Sequence, residues 1–289
     1  MNKVACCGVG FVGTAVSTCL QNIAEVREYD KYRDTESLES VVNNSDIIFI
    51  CLPTPMQEDG SCDTSIVENE IDNICRIARK PKSIVIKSTV TPGTTDKLQK
   101  KYKKHVFLFN PEFLTERNFI ADFINQDRII LGTSNDFKRN ELTLRVHKLY
   151  QDFVRLQKKP ALIYDTETRT AEMLKYMTNS FLATKVIFFN EMKEICKAAN
   201  IKYEDVVGLM KLDERIGKSH LSVPGPDGKR GFGGSCFVKD LNALSTFAKE
   251  LDLDPMVLDS VWTKNLLVRE EYEWEQLAQV TGEYKKNEV

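Results

Sequence analysis

A cysteine in a distinctive setting lies near the end of the chain, where residues 231–240 read GFGGSCFVKD. Glycines precede Cys236 and a Lys-Asp pair follows it, so a substrate can approach the sulfur closely beside charged groups. A thiolate is a strong nucleophile at neutral pH when a neighbouring cation lowers its pKa. The segment therefore predicts an activated cysteine nucleophile.

The opposite end of the chain carries a dinucleotide-binding pattern, GVGFVG at residues 8–13. Its context has the expected order: a strand at 3–7, then the glycines, a helix at 14–24, and a second strand at 26–29. Gly8 allows the tight turn, Gly10 lets the backbone approach a pyrophosphate, and Gly13 permits close helix packing. The alternative is a helix-capping glycine turn. A bound dinucleotide implies that the thiol serves an oxidation.

Asp30 ends the second predicted strand, where an acidic residue selects the cofactor. Its carboxylate would accept hydrogen bonds from the ribose 2′-hydroxyl and repel a 2′-phosphate, which favours NAD over NADP. Lys31 and Arg33 stand nearby and weaken this preference.

Further strand-like runs alternate with helical or loop segments, at residues 46–52, 83–88, 106–109 and 128–131. This alternation predicts a parallel sheet covered on both faces, with ligands outside the carboxyl ends of its strands. Polar segments follow three of these strands: PTP at 53–55, STVTPGT at 88–94 and NPEFLTE at 110–116. Each alone is often only a turn, but together at one sheet edge they predict a binding site.

The carboxyl-terminal half is predicted to be mainly helical. A helix predicted over 169–200 carries a polar stripe of Glu172, Lys175 and Asn179. This stripe either lines an active site or is an ordinary solvent-facing surface. A glycine- and proline-rich stretch at 212–230 is predicted to be a loop that delivers Cys236. A second long helix is predicted from 255 to about 280, with Gly282 as its stop.

The predicted fold class is therefore α/β, with a Rossmann-type parallel-sheet domain at residues 1–165. A mainly helical domain with a long helix follows at 166–289 and carries the cysteine.

Composition excludes several classes of protein. The formal charge of −2 and the lack of a basic stripe argue against a nucleic-acid binder. No apolar run approaches the length of a membrane span, and no signal-peptide pattern opens the chain. The eight cysteines are irregularly spaced without a C-x-x-C, which predicts reduced thiols, no metal site and a cytoplasmic protein.

Taken together, these motifs identify a family resemblance. The chain resembles the UDP-glucose and GDP-mannose dehydrogenases, which are nucleotide-sugar enzymes that use NAD. The matching segments are GVGFVG at 8–13, CLPTP at 51–55, KSTVTPGTT at 87–95, NPEFLTE at 110–116, AEMLKYMTN at 171–179 and GFGGSCFVKD at 231–240. They run in the family's order over nearly the whole chain.

The resemblance implies oxidation of a sugar primary alcohol to a carboxylate with two NAD, as in UDP-glucose to UDP-glucuronate for polysaccharide synthesis. Hydride transfer gives an aldehyde, Cys236 forms a thiohemiacetal, and a second transfer gives a thioester that water hydrolyses. Lys175 and Asn179 would stabilise the oxyanion. Asp240 would orient or deprotonate water, while Thr89 and Glu116 would position water and the nicotinamide.

The resemblance also implies which residues hold the ligands. For the cofactor NAD they are Gly8, Gly10, Val12, Gly13, Asp30, Thr54, Thr89 and Glu116. For the nucleotide-sugar substrate they are Glu112, Phe113, Leu114, Thr115, Glu116, Lys175, Asn179, Arg230 and Gly233. A homodimer across the long helices is also expected.

The chain departs from the family pattern in three places. The usual helical insertion after the second strand is short here, and Val238 stands where many relatives have proline. The family's third, substrate-nucleotide-binding domain would follow the long helix, so the sequence is expected to be a compact form lacking it. GDP-mannose or a UDP-N-acetylhexosamine therefore remains an alternative substrate.

Two other classes stay open. A 3-hydroxyacid dehydrogenase has a similar cofactor domain and helical second domain, and its single oxidation needs no cysteine. A non-catalytic NAD- or nucleotide-binding homologue would need neither the thiol nor Lys175, Asn179 and Asp240.

Overall fold

Seven strands form one sheet in the amino-terminal part of the chain. The computed structural model describes residues 2–138 and 140–283. The strands are β1 (Asn2–Cys7), β2 (Ala24–Tyr29), β3 (Ile47–Ile50), β4 (Ser83–Ile86), β5 (Val106–Phe109), β6 (Arg128–Thr133) and β7 (Leu162–Thr166). The helices between them are α1 (Phe11–Leu20), α2 (Leu38–Asn43), α3 (Ser65–Ile77), α4 (Thr94–Lys101), α5 (Phe119–Ile124) and α6 (Glu141–Arg155).

The strand order is β2-β1-β3-β4-β5-β6-β7, a Rossmann-type arrangement. All neighbours are parallel except β5 and β6, which pair antiparallel through Phe109 and Gly132. The predicted parallel sheet is therefore confirmed for β1 to β5, while β6 and β7 run in the opposite direction. Alternation of strands and helices sets their order along the chain but not the direction of each strand. Strand β7 was not predicted, because it is a half-exposed edge strand without a continuous apolar run.

The central strands are buried on both faces, which explains their unbroken apolar sequences. Successive residues face opposite sides, so Val4 and Cys6 pack in one hydrophobic cluster while Ala5 and Cys7 pack in the other. The adjacent thiols of β1 thus serve as small buried apolar side chains.

The remaining helices are α7 (Thr168–Ala198), α8 (Tyr203–Met210), α9 (Cys236–Glu250), α10 (Met256–Val268) and α11 (Ala278–Thr281). The long helix predicted at 169–200 is confirmed as the 31-residue α7. The helix predicted at 14–24 lies earlier, because α1 starts directly after the extended residue Gly10. The predicted fold class, a Rossmann-type sheet followed by helices that include a long one, is confirmed.

The described chain divides into two compact units: residues 2–54 with 63–175, and residues 55–62 with 176–283. The core of the second unit includes Phe232, Val238, Leu241, Val261 and Trp274. Whether either unit folds alone is a separate property, so domains at 1–165 and 166–289 stay a prediction.

The prediction of one long helix from 255 to about 280 was wrong. Helix α10 ends at Val268, and the backbone of Arg269 is extended. The buried Arg269 guanidinium contacts Asp227 at 2.8 Å and also bonds Glu273 and the backbone of Arg230. Satisfying this buried cation takes the chain out of the helix. The predicted stop is present at the end of the short α11, where Gly282 has a left-handed φ of 77°.

Among the described residues, every helix is too short or too polar to cross a membrane.

The buried His105 predicts a specific acid sensitivity of folding. Its Nδ1 accepts the backbone N–H of Lys82 at 3.2 Å, and burial together with nearby lysines lowers its pKa from 6.5 to about 4. As the pH falls below 6.5, His105 is protonated in the unfolded chain but stays neutral in the folded chain. The free energy of unfolding therefore decreases with falling pH until about pH 4. His105→Asn keeps a neutral acceptor and should remove this loss, on the order of 1 kcal/mol per pH unit.

Urea unfolding of both proteins at several pH values between 7.5 and 4.5 measures the effect. The two curves should differ in slope only on the acid side. Equal slopes throughout would contradict the assignment of His105.

Candidate active site

The turn between β1 and α1 is packed so closely that it excludes side chains. Gly8 has a φ of 90°, and a Cβ there would lie 2.5 Å from the carbonyl oxygen of Cys51. A Cβ at Gly13 would overlap the carbonyl oxygen of Gly8. Both glycines are therefore required by close backbone approach.

Gly10 differs because its surroundings are open. No described atom lies within 4 Å of the position that a Cβ on Gly10 would take. Gly10 precedes α1, and none of the described side chains caps that helix end. The first N–H groups of α1, which include that of Val12, thus remain available, and a helix amino terminus of this kind fits a pyrophosphate.

Asp30 is tied to the same turn. Its carboxylate accepts the N–H of Val9 at 2.8 Å and the N–H of Tyr32 at 2.9 Å. A carboxylate has further lone pairs for ribose hydroxyls. The glycine turn, the α1 end and Asp30 therefore fit a dinucleotide such as NAD.

The loops after β3 and β4 meet at one edge of the sheet, as predicted for a binding site. The hydroxyl of Ser88 accepts the N–H of Leu52 at 2.9 Å and lies 2.7 Å from its carbonyl oxygen. The buried Thr54 and the half-buried Thr89 follow these two residues. The next loop begins beside them, because Asn110 donates its N–H to Ile86 at 2.9 Å.

A buried charged network lies beneath these loops. The ammonium of Lys87 contacts the carboxylate of Glu112 at 2.7 Å and donates to the amide oxygen of Asn110 at 2.9 Å. The hydroxyl of Tyr150 donates to the same amide oxygen at 2.5 Å. Burial acts to lower the pKa of Lys87, but the charge of Glu112 outweighs it and raises that pKa above its usual range.

Lys175 reaches this network from α7. Its ammonium donates to the backbone carbonyl of Glu112 and lies 5.4 Å from the ring centre of Phe113. Leu114 is half-buried, while Thr115 and Glu116 are exposed. The first unit thus brings Lys175 together with the start of the NPEFLTE segment.

Glu172, the first member of the predicted polar stripe, has another role. Its carboxylate accepts the N–H of Gly93 at 2.6 Å and both the N–H and the hydroxyl of Thr95. It therefore caps the amino terminus of α4, which lacks a cap of its own. Burial raises the pKa of Glu172 to about 7.

In the second unit, Cys236 is the first residue of α9 and lies half-buried there. One turn later Asp240 is buried and accepts hydrogen bonds from the amide of Asn179 and the ammonium of Lys239, each at 2.5 Å. Burial acts to lower the pKa of Lys239, but the nearby carboxylate of Asp240 outweighs it and raises that pKa. The thiol thus lies at a helix amino terminus within reach of a buried cation.

Sequence reasoning missed the residues that hold the segment before the thiol. The buried amide of Asn265 accepts the N–H of Phe232 at 2.8 Å and donates to its carbonyl at 3.0 Å. Asn190 accepts the N–H of Gly231 at 3.2 Å. A Cβ on Gly233 would lie 2.0 Å from a carboxylate oxygen of Glu273 and 2.4 Å from the guanidinium of Arg269, so a larger residue there would displace this ion pair. The only signal in the sequence was asparagine within apolar helical runs.

Arg230, predicted to bind substrate, forms an ion pair with Glu194 at 2.6 Å. The structure therefore places the predicted residues in two groups. The first unit holds the glycine turn, Asp30, Thr54, Thr89, the segment 110–116 and Lys175, and the second holds Asn179, Arg230, Gly233, Cys236 and Asp240. Their functional roles stay predictions.

Comparison with known sequences decides the family. The NAD binding domain of the UDP-glucose/GDP-mannose dehydrogenase family matches residues 21–154, and the central domain of that family matches residues 169–266. The chain belongs to the UDP-glucose/GDP-mannose dehydrogenase family. Its amino-terminal part is the family's NAD-binding domain, so NAD is its cofactor.

Individual relatives agree with this family. The chain is 37% identical over 244 residues to the UDP-glucose 6-dehydrogenase of Rickettsia prowazekii (strain Madrid E), covering 83% of this chain and 54% of the relative. It is 35% identical to the UDP-glucose 6-dehydrogenase YwqF of Bacillus subtilis (strain 168), and this match covers 78% of this chain and 49% of the relative. The chain thus spans about half the length of these curated relatives.

A solved structure of the family has a similar fold. It is a UDP-glucose dehydrogenase from the hyperthermophilic archaeon Pyrobaculum islandicum, with a TM-score of 0.81 and 27% identity. The likeness covers 92% of this chain and 68% of that one.

The glycine turn predicts that two similar substitutions act differently. Gly13→Ala should lower the free energy of unfolding by about 1–3 kcal/mol, because its Cβ overlaps the Gly8 carbonyl. Gly10→Ala, the matched control, should change it by less than about 0.5 kcal/mol but weaken NAD binding.

Urea unfolding and calorimetric titration with NAD measure the two effects. A fully stable Gly13→Ala variant, or unaltered NAD affinity in Gly10→Ala, would contradict this account of the turn.

The segment before the thiol predicts a cost for removing its anchor. Asn265→Ala deletes both hydrogen bonds to the Phe232 backbone and should lower the free energy of unfolding by about 1–3 kcal/mol. The control is Asn242→Ala, which loses one hydrogen bond within α9 and should cost about 0.5 kcal/mol or less. If both variants unfold at the same urea concentration, Asn265 is not an anchor.

Proposed function

We propose that the protein oxidises the C6 primary alcohol of UDP-glucose to the carboxylate of UDP-glucuronate. The observation that supports this most strongly is the placement of Cys236 at the start of α9, with Asp240 buried one turn later between Asn179 and Lys239. A single alcohol oxidation needs no thiol, whereas oxidation on to an acid gains from a covalent sulfur intermediate. The relatives described above carry the name of this activity.

The residues of the chain bind and orient the alcohol for the first oxidation. Bound NAD supplies the oxidising power, taking two electrons from the sugar in each of two oxidations. The segment 112–116, with Arg230 and Gly233, holds the sugar and diphosphate, while Thr89 and Glu116 position the reacting groups. Lys175 and Asn179 stabilise the oxygen as its proton passes to solvent.

The aldehyde is then captured by Cys236. The sulfur attacks the carbonyl carbon, a C–S bond forms, and the carbonyl oxygen becomes an oxyanion that Lys175 and Asn179 stabilise. The second oxidation removes two electrons from this thiohemiacetal and leaves a thioester. The oxyanion carries no proton, so this oxidation removes only the hydrogen on the carbon with its two electrons, and the C=O bond re-forms.

Hydrolysis releases the acid. Water attacks the thioester carbon, and the C–S bond breaks so that Cys236 leaves as the thiolate. Asp240 orients this water or takes its proton, since its paired oxygens are held in place by Lys239 and Asn179.

The assembly belongs to the same proposal. Large apolar side chains of α7 at four- and seven-residue spacing are exposed, namely Met177, Phe181 and Phe188. Such a stripe supports a homodimer across the long helices. The protein is proposed to act in the cytoplasm, on a sugar-acid step that feeds polysaccharide synthesis.

The reaction predicts a fixed stoichiometry. Purified protein mixed with NAD and UDP-glucose should form two NADH for each UDP-glucuronate, followed by absorbance at 340 nm and by chromatography of the sugar nucleotide. A panel with GDP-mannose and UDP-N-acetylhexosamines distinguishes the alternative substrates. NAD binding without turnover of any sugar would contradict the proposed activity.

The covalent route predicts that one thiol is essential. Cys236→Ser should abolish the formation of UDP-glucuronate, because a hydroxyl does not support the thioester route. Cys196→Ser is the control, since that half-buried thiol lies within α7 and should leave the rate unchanged. Full turnover by the Cys236→Ser variant would overturn the mechanism.

A further inference from the structure

A continuous chain of polar contacts runs through the first unit to Lys175. It begins at the hydroxyl of Tyr150, passes through the amide of Asn110 and the ammonium of Lys87, and reaches the carboxylate of Glu112. The backbone carbonyl of Glu112 then accepts from Lys175. Only Lys175 and Glu112 in this chain of contacts belong to the predicted site, so the role of the rest is unassigned.

Lys87 is the charge on which the network depends. Its side chain is 2% exposed and that of Glu112 is 12% exposed, so water does little to solvate either charge. A buried ion whose partner is removed costs far more than the pair contributes. Without Lys87, the carboxylate of Glu112 must move toward solvent or find another donor.

Any such movement is transmitted to Lys175. One carboxylate oxygen of Glu112 contacts Lys87, while the other accepts the N–H of Phe113 at 2.8 Å. The side chain and backbone of Glu112 are thus fixed together. If the carboxylate rotates away, the backbone carbonyl that holds the ammonium of Lys175 shifts with it.

We propose that Lys87 is a positioning residue, which sets the place of the Lys175 ammonium through Glu112. This inference rests on the proposed function, in which Lys175 stabilises the oxyanion at the reacting carbon. Lys87 does not touch the substrate. It fixes the geometry of a group that does, and displacement of such a group by about 1 Å costs about 100-fold in rate.

The chain supplies a matched control in Lys82. Lys82 and Lys87 flank the same strand, β4, and both are buried. The ammonium of Lys82 donates to the backbone carbonyl of Ser45 at 2.5 Å and has no link to Glu112. If buried lysines at the ends of β4 matter only for folding, Lys82→Met and Lys87→Met should behave alike.

A double-mutant cycle tests the proposal. The kcat and KM with NAD and UDP-glucose are measured for four proteins: the wild type, Lys87→Met, Glu112→Gln and the double variant. Lys82→Met is assayed beside them. Lys87→Met should lower kcat about 10- to 100-fold with little change in KM. In the Glu112→Gln background it should add less than about threefold, because the route to Lys175 is already broken. Equal losses in both backgrounds, or a normal kcat in Lys87→Met, would overturn the proposal.

A second readout does not depend on turnover. Brief treatment with trinitrobenzenesulfonate, followed by peptide mapping, reports how accessible the amine of Lys175 is. Labelling of Lys175 should rise several-fold in Lys87→Met and stay at the wild-type level in Lys82→Met. Unchanged labelling in Lys87→Met would overturn the positioning role, even if the wild-type protein oxidises no nucleotide sugar and the proposed function fails. If Lys87→Met does not fold, Lys87→Gln enters the same cycle and labelling.

Discussion

The buried ion pair of Lys87 and Glu112 constrains the arrangement of the first unit. Each charge is removed from water, so each requires the other at hydrogen-bond distance. They meet because β4 and β5 are parallel neighbours whose carboxyl ends lie side by side. The loops that follow these strands therefore start from fixed points. A site built there inherits its geometry from the sheet.

The second unit likewise contains a buried charge that is paired with polar neighbours, close to its cysteine. Asp240 is buried and is satisfied by Lys239 and Asn179, so its position beside the first turn of α9 is set by charge pairing. The preceding segment is held through its backbone by Asn265, independently of its own side chains. In both units the groups proposed for chemistry are thus held by buried polar partners. This arrangement suits a reaction that depends on preorganised charge.

The sequence predicted the parts of the fold whose signals are local. The glycine turn, the central strands and the long α7 follow from short-range patterns of glycine and apolar residues. The sequence did not predict the antiparallel direction of β6 or the residue at which α10 ends. Both depend on partners that are distant in the sequence, such as Asp227, which forms an ion pair with Arg269 directly after α10. Motifs indicated the groups that are proposed to react, whereas Lys87 lay inside the strand predicted at 83–88 and was given no role of its own. Only its pairing with Glu112 across the sheet supports the positioning role proposed for it.

The central claim is that Cys236 becomes covalently bound to the sugar during the oxidation. The most direct test is to mix the protein with NAD and UDP-glucose, quench with acid within the first turnovers, and map the peptides by mass spectrometry. The account predicts an added mass on the peptide containing Cys236 equal to the sugar nucleotide oxidised to the acyl level. Formation of UDP-glucuronate while that peptide stays unmodified at every quench time would contradict it.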